Sequence, residues 1–390
     1  MADQPEIGII CLGEAGNLGD DLILAAAVQS VHRSVPEATV RYLSHGQHLD
    51  WSDLRTALDL PGSTALVRVD SPRAWPWVQR DRLFEGSDAL IVGGGGLIQS
   101  VHHPYRPFQW FDNLPARTST PVMGIGLGIG PLTESWQEYF RSRSAPFDLL
   151  MVRDDESRAF AVERLGWRAE RCLDFVDDAF LHQLAPPKTG PHGGPKTLGV
   201  SVRAWPGLHL GDMAAHIARV CARYSIDRVR FYVLESKNGS GVDEDFVRAL
   251  QRHLVDKDSD IVSYLPGRMR EFVKDMSTCQ VAIGMKLHAC AIWAAWGVPV
   301  YPIVYAPKVA SFYGVPYTGL AVFDKFLTPS EKWTSDAISA SDAIAQNLRQ
   351  MMEARDGGRA LRFTSGERWR FRISAAAVDT SRKIRRALGG

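Results

Sequence analysis

Short, almost wholly apolar runs recur along this chain, each followed by a polar turn and then a stretch of helical period. The first, residues 7–12 (IGIICL), has the pattern of a strand buried on both faces of a sheet. The same reading predicts strands over 39–43, 66–69, 89–92, 122–125 and 149–152, and again over 198–202, 229–234, 261–264, 281–283 and 300–304. Helices are predicted over 22–31, within 152–166, over about 211–224, over 242–254, from 267 onward and over 341–352. Strands that alternate with helices in this way imply parallel βαβ units.

The series is broken once. PPKTGPHGGPK, residues 186–196, is rich in proline and glycine and has no apolar anchor, which marks a linker. The expected organisation is a first α/β domain over 1–185, the linker 186–196, a second α/β domain over 197–350, and a basic helical tail over 351–390. Two parallel sheets joined by one linker face each other across a cleft, and open sheets of this kind bind ligands outside the carboxyl ends of their strands.

Composition narrows the picture by exclusion. The chain has 390 residues, enough for two domains, and its 45% hydrophobic and 23% charged content is ordinary for a globular protein. A formal net charge of +1 gives no global argument for nucleic acid or for an anionic membrane. Only the segment from Glu353 to the end is locally basic; it can lie on the first domain or attach weakly to an anionic membrane. The cysteines at 11, 172, 221, 279 and 290 are scattered and odd in number. They argue for a reducing, cytoplasmic setting and against a disulfide framework or a zinc site. The N-terminus carries no basic region followed by a long apolar run, so no signal peptide is expected. The longest apolar stretch, 289–306, is interrupted by Gly297, Pro299 and Pro302 and reads as a buried helix and strand, not a membrane span.

Candidate chemistry gathers at the predicted strand ends. After the first strand comes GEAGNLGDD, residues 13–21, where Asp20 or Asp21 can cap the following helix. Two carboxylates there would repel a phosphate, so hydroxyl recognition or base catalysis suits them better. A capped turn, with Asn17 and the glycines supplying positive φ, accounts for the same residues. GGGGL (93–97) and GIGLGIGPL (124–132) follow two further strands and allow close approach to the backbone. Neither is a P-loop, and no acidic ribose partner follows the G-x-G. HHPYRPFQWF (102–111), with Arg106, is either a sugar-stacking loop or an aromatic-packed one. Arg153 and Arg203 each stand at a strand end. Asp174, Asp177 and Asp178 lack a histidine or glutamate at ligand spacing and read as a structural turn, not a metal site. Lys286 and His288 stand at a strand-to-helix corner in the most apolar part of the chain, which ends at Tyr305 and Lys308. Cys290 faces away from His288 on the helix, which argues against a Cys–His pair.

Four of these pieces resemble the polysaccharide pyruvyl transferases: GNLGDD (16–21), the GGGGL cluster, VRDDES (152–157) and, above all, MKLHACAIWAAWGVPVYPIVYAPK (285–308). The family shows Arg-x-His, an apolar helix, Gly-Val-Pro, a strand and Tyr-x-x-Lys. Here Lys286 stands for the arginine, which keeps the charge and loses the bidentate grip.

The resemblance implies an α/β fold of two Rossmann-like domains facing a cleft, glycosyltransferase-B-like. It implies transfer of pyruvate from phosphoenolpyruvate to two hydroxyls of a sugar, or of a lipid-linked or polymeric glycan, as a cyclic ketal, with phosphate released. The first domain is then the acceptor side, with Asn17, Gly95, Gly96 and Arg106. The second is the donor side, with Lys286, Arg203, Lys308 and Tyr305. His288 is the general acid for the enol methylene, and Asp20 or Asp21 the base for the hydroxyls. The scheme calls for no metal, no redox cofactor and no nucleic acid. Two rival readings share the fold: a nucleotide-sugar glycosyltransferase, and a non-catalytic sugar-binding or scaffold homologue.

Overall fold

A computed structural model of the chain describes residues 4–70, 86–100, 120–142, 147–186, 194–235, 242–254, 257–334 and 338–356. Arg106, the 102–111 loop, most of the linker and the chain beyond 356 lie outside the described residues.

The first half builds a seven-stranded parallel sheet from β1 (Glu6–Ile10), β2 (Thr39–Ser44), β3 (Leu66–Asp70), β4 (Ala89–Ile98), β5 (Val122–Ile129), β6 (Leu149–Val152) and β7 (Glu170–Arg171). Its order is β3-β2-β1-β4-β5-β6-β7. The helices α1 (Leu18–Ser34), α2 (Trp51–Ala57), α3 (Glu134–Arg141), α4 (Asp155–Ala159) and α5 (Asp178–Leu184) connect or follow its strands. The second half repeats the plan with β8 (Thr197–Ser201), β9 (Arg228–Val233), β10 (Asp258–Ser263), β11 (Val281–Gly284) and β12 (Val300–Val304), ordered β10-β9-β8-β11-β12. A short antiparallel strand, β13 (Ala321–Val322), closes that edge. Its helices are α6 (Leu210–Tyr224), α7 (Val242–Gln251), α8 (Met269–Met276), α9 (Leu287–Ala295), α10 (Pro307–Tyr313), α11 (Glu331–Thr334) and α12 (Ala340–Asp356). Each sheet reverses its winding direction beside its first strand, between β1 and β4 and between β8 and β11, and such switch points are where parallel sheets open a crevice.

The structure extends two predicted strands. β4 and β5 continue through their glycine clusters instead of ending before them. Gly94, Gly95 and Gly126 take positive φ there, and the β4–β5 and β5–β6 registers shift at these points. Glycine is required at 94 because a side chain would strike Ile23 of α1 as well as strain the backbone. The cap of α1 also differs from expectation. The helix begins at Leu18, and Asn17 caps it by accepting from the Gly19 amide at 3.0 Å, which leaves Asp20 and Asp21 inside the first turn. Asp154 and Asp177 cap α4 and α5, accepting from the Ser157 amide at 2.7 Å and the Phe180 amide at 2.8 Å.

One apolar core runs through both halves. α9 is apolar nearly all round, and it is buried accordingly. Its Trp293 lies over Gly199 of β8 and donates to the Met276 carbonyl at 3.1 Å. Backbone bonds join the halves directly: the Leu18 amide donates to the Leu234 carbonyl at 2.9 Å, and Asn17 bridges Glu235. His182 of α5 bonds the Ala295 carbonyl at 2.7 Å, and Arg270 reaches both Asp53 and the Leu184 carbonyl. The chain then crosses back. The Leu173 amide donates to the Ile338 carbonyl at 2.9 Å, and α12 packs along α1, with Ser30 and Ser341 hydroxyls 2.8 Å apart. Among the described residues no helix is long and apolar enough to cross a membrane.

Candidate active site in the interdomain cleft

The carboxyl ends of β1, β4, β5 and β6 meet those of β8, β9 and β11 across the cleft, and His288 stands where they converge. It occupies the first turn of α9, just after the β11 corner at Lys286. Its imidazole reaches across to α1 of the other domain. A Cβ placed on Gly19 would lie 1.8 Å from His288 Nδ1, so only glycine leaves room for the ring. The ring is partly exposed, but its Nε2 is buried and has no hydrogen-bond partner among the described residues. Burial pushes its pKa down to about 4; Asp174 opposes that shift, while Lys308 and Arg153 reinforce it. An imidazole held this low is neutral near pH 7.

Around His288 stand Lys308, Arg153 and Asp174, from both domains, and Asp20 lies along the glycine wall nearby in the cleft. Lys308, at the start of α10, is half-buried, and among the described residues no carboxylate pairs with it. Arg153 follows β6 and is 6% exposed. Its guanidinium lies against Gly128 of β5 and near Gly96 of β4, and it pairs with Asp154 at 3.2 Å and Asp174 at 4.0 Å. Asp174 is buried. Asp20 projects from the first turn of α1, with Oδ1 3.5 Å from where a Gly95 side chain would begin. The glycine ends of β4 and β5 thus give Arg153 and Asp20 a surface to lie on.

The two aspartates of GNLGDD part company. Asp21 is fully buried: it accepts from the Glu14 amide and, across the domain boundary, from the Tyr264 hydroxyl at 2.7 Å. Burial raises its pKa to about 8, against the lowering effect of those two bonds. Glu14 sits beside it with φ of 58° and gathers Tyr42, Ser44, the Leu49 amide and Arg68 around its carboxylate. Asn17 spends its side-chain oxygen on the helix cap.

The second-domain cations are not bare. Lys286 Nζ is 2.7 Å from Asp243 and 3.4 Å from Glu235, and Arg203 Nε is 3.6 Å from the other oxygen of Asp243. Arg203 also lies 6.0 Å from the Trp205 ring centre. Trp205 packs edge-on to Tyr305, with centroids 4.7 Å apart. Sequence reasoning left Asp243, Glu235, Asp174 and Gly19 without roles, and noted Arg153 without assigning it. A listing of the residue just past every parallel strand would have found Arg153 and Glu235. Asp243 carried no signal, and Gly19 stood only as one letter of GNLGDD, because their importance lies in contacts far along the chain. Among the described residues no group of three or more His, Cys, Asp or Glu is arranged to hold a metal ion. The five cysteines are free and buried.

Two Rossmann-like sheets with their strand ends facing one cleft define a glycosyltransferase-B-like fold. The chain belongs to the polysaccharide pyruvyl transferase family, whose description it matches over residues 17–307. That span includes Asp20, Arg153, Lys286, His288 and Tyr305, and stops one residue short of Lys308. No curated protein sequence matches the chain. Among solved structures it is similar to S. aureus MnaA in a co-structure with UDP, at 10% identity and a TM-score of 0.58, covering 90% of this chain and 97% of that one. It is similar also to a putative UDP-N-acetylglucosamine 2-epimerase from Listeria monocytogenes (11% identity, TM-score 0.53, 95% and 100% covered). A third is UDP-GlcNAc 2-epimerase from Neisseria meningitidis bound to UDP-GlcNAc (11% identity, TM-score 0.51, 98% and 100% covered). These likenesses establish the shared fold.

Proposed function

We propose that the chain transfers pyruvate from phosphoenolpyruvate to two hydroxyls of a sugar or glycan, forming a cyclic ketal and releasing phosphate. The observation that carries the reading is the convergence of His288 and Arg153, inside the span of a pyruvyl transferase match, with Lys308, one residue past its end. The donor carries a carboxylate and a phosphate, and Lys308 and Arg153 supply cations beside His288. Anion binding there offsets the forces that keep His288 neutral and lets it take up a proton. That proton goes to the methylene carbon of the enol as the first sugar oxygen bonds to the adjacent carbon. Asp20 accepts the proton of that hydroxyl. The tetrahedral adduct loses phosphate, which leaves with the proton held by Asp20; the second hydroxyl adds in its place, and His288, now neutral, takes the proton of that hydroxyl. Atoms and protons balance without a redox cofactor. Asp21, with both oxygens engaged and its acidity suppressed, holds the cleft together instead of serving as the base. We keep the division of the chain at the 186–196 linker, and a cytoplasmic setting suits five free, buried thiols.

The test is phosphate release from phosphoenolpyruvate in the presence of candidate glycans, with mass spectrometry of the acceptor. The expected product carries one pyruvate, joined through two oxygens. Protection and turnover with UDP-sugars but not with phosphoenolpyruvate would overturn the proposal in favour of sugar transfer.

A further inference from the structure

Among the described residues the cluster at the ends of β8, β9 and β11 is charge-balanced. Lys286 and Arg203 supply two positive charges; Asp243 and Glu235 supply two negative ones. A polyanion gains little from such a site, because every attraction to a cation is met by repulsion from an adjacent carboxylate. A neutral polyol gains from both signs, since its hydroxyls donate to carboxylates and accept from ammonium and guanidinium groups. Beside the cluster, Trp205 is partly exposed and is backed by Tyr305, an aromatic pair suited to the C–H face of a sugar ring. Lys286 is also two positions from His288 in sequence.

We infer that Arg203, Glu235, Asp243, Lys286 and Trp205 form a saccharide subsite that holds the uncharged acceptor, so that the second domain binds the sugar where its cations had suggested the donor. The assignment rests on the pyruvyl-transfer reading for the identity of the other substrate. It places the sugar hydroxyls on one side of His288 and the phosphoenolpyruvate anion on the other. Asp243 is the pivot, because one carboxylate bonds both cations and removes their appeal to phosphate.

Two titrations decide it. In the first, phosphoenolpyruvate binding is measured calorimetrically. The charge-balanced double variant D243N/K286M is expected to keep the wild-type affinity within about threefold, while Arg153→Gln weakens it at least about tenfold. Asp243→Asn alone would tighten donor binding strongly if Lys286 and Arg203 were the donor site, and that result, or a tenfold loss in the double variant, overturns the inference. In the second, methyl glycosides of galactose, glucose and mannose are titrated against tryptophan fluorescence. Wild type is expected to bind at least one, and Asp243→Asn and Glu235→Gln each to weaken it about tenfold. Binding unchanged in those variants, or no glycoside bound, overturns it. Circular dichroism confirms that each variant is folded. If glycosides bind through Asp243 but phosphoenolpyruvate is neither bound nor turned over, the pyruvyl reading falls and the saccharide subsite stands.

Discussion

The two sheets share one strand order and treat their strand ends in opposite ways. In the first domain β4 and β5 run through glycines near their carboxyl ends, and the cleft wall there is largely backbone. In the second, β8, β9 and β11 are followed by Arg203, Glu235 and Lys286, and the wall is charge. The glycine wall gives Arg153 and Asp20 room to lie flat; the charged wall sets hydrogen-bond donors and acceptors at fixed places. His288 belongs to the second wall and is seated in the first, through the space left by Gly19. The lesson is that two sheets of like topology can line one cleft differently by side-chain size, and that His288 lies where small meets charged.

The sharpest break of that contrast is His288→Ala. Phosphate release should fall by about 10²–10⁴, the range for a lost general acid, with circular dichroism unchanged. Full activity in this variant would remove His288 from the mechanism. Next, Gly19→Ala pushes a methyl group into the imidazole and should lower kcat by about 10², as expected for a reacting group displaced by an ångström. In a His288→Ala background the same change should cost nothing further in activity or thermal stability. A separate, additive loss would show that Gly19 acts elsewhere.

A smaller effect concerns the buried carboxylate that ties the domains. Asp21 rises from 3.8 to about 8 on folding, so the native state holds a proton that the unfolded chain releases. Stability is therefore expected to decline as pH rises between those two values. Asp21→Asn should flatten the dependence, raising Tm relative to wild type at pH 8 and not at pH 4. Equal pH curves would mean that the proton is not held there. The smallest effect is the control. Gly211 in α6 has open space around it, and Gly211→Ala should stabilise by about 0.5–1 kcal/mol with activity unchanged.

Much of this architecture was legible from apolar runs. β6 and β12 match their predicted limits, and every strand foreseen is present, because a strand buried on both faces leaves an unbroken apolar signature. The extension of β4 and β5 through glycine was not legible, since glycine reads as a turn unless another element presses on it. Ile23 of α1 presses on Gly94, and that contact is absent from the local pattern. The site was half legible. Lys286, His288 and Lys308 stood out by spacing within one stretch. Asp243 and Glu235, which change what Lys286 can bind, lie about fifty residues or less away in sequence, on strand and helix ends that carry no motif of their own. Likewise, the division between Asp20 and Asp21 depends on Tyr264, from a strand end of the other domain.

The return of the chain at Ile338 has a consequence for how this molecule recognises what it binds. Helix α1 is held at its start by β9 and Tyr264, and along its length by α12, the last described helix. It works as a spacer bar between the two halves, gripped at both ends. Jaws held at a constant gauge by such a spacer would select substrates by shape at the outset, not by closing on them. New specificities would then come from resizing single residues along the two walls, and the order in which substrates enter would be dictated by which wall each one fits.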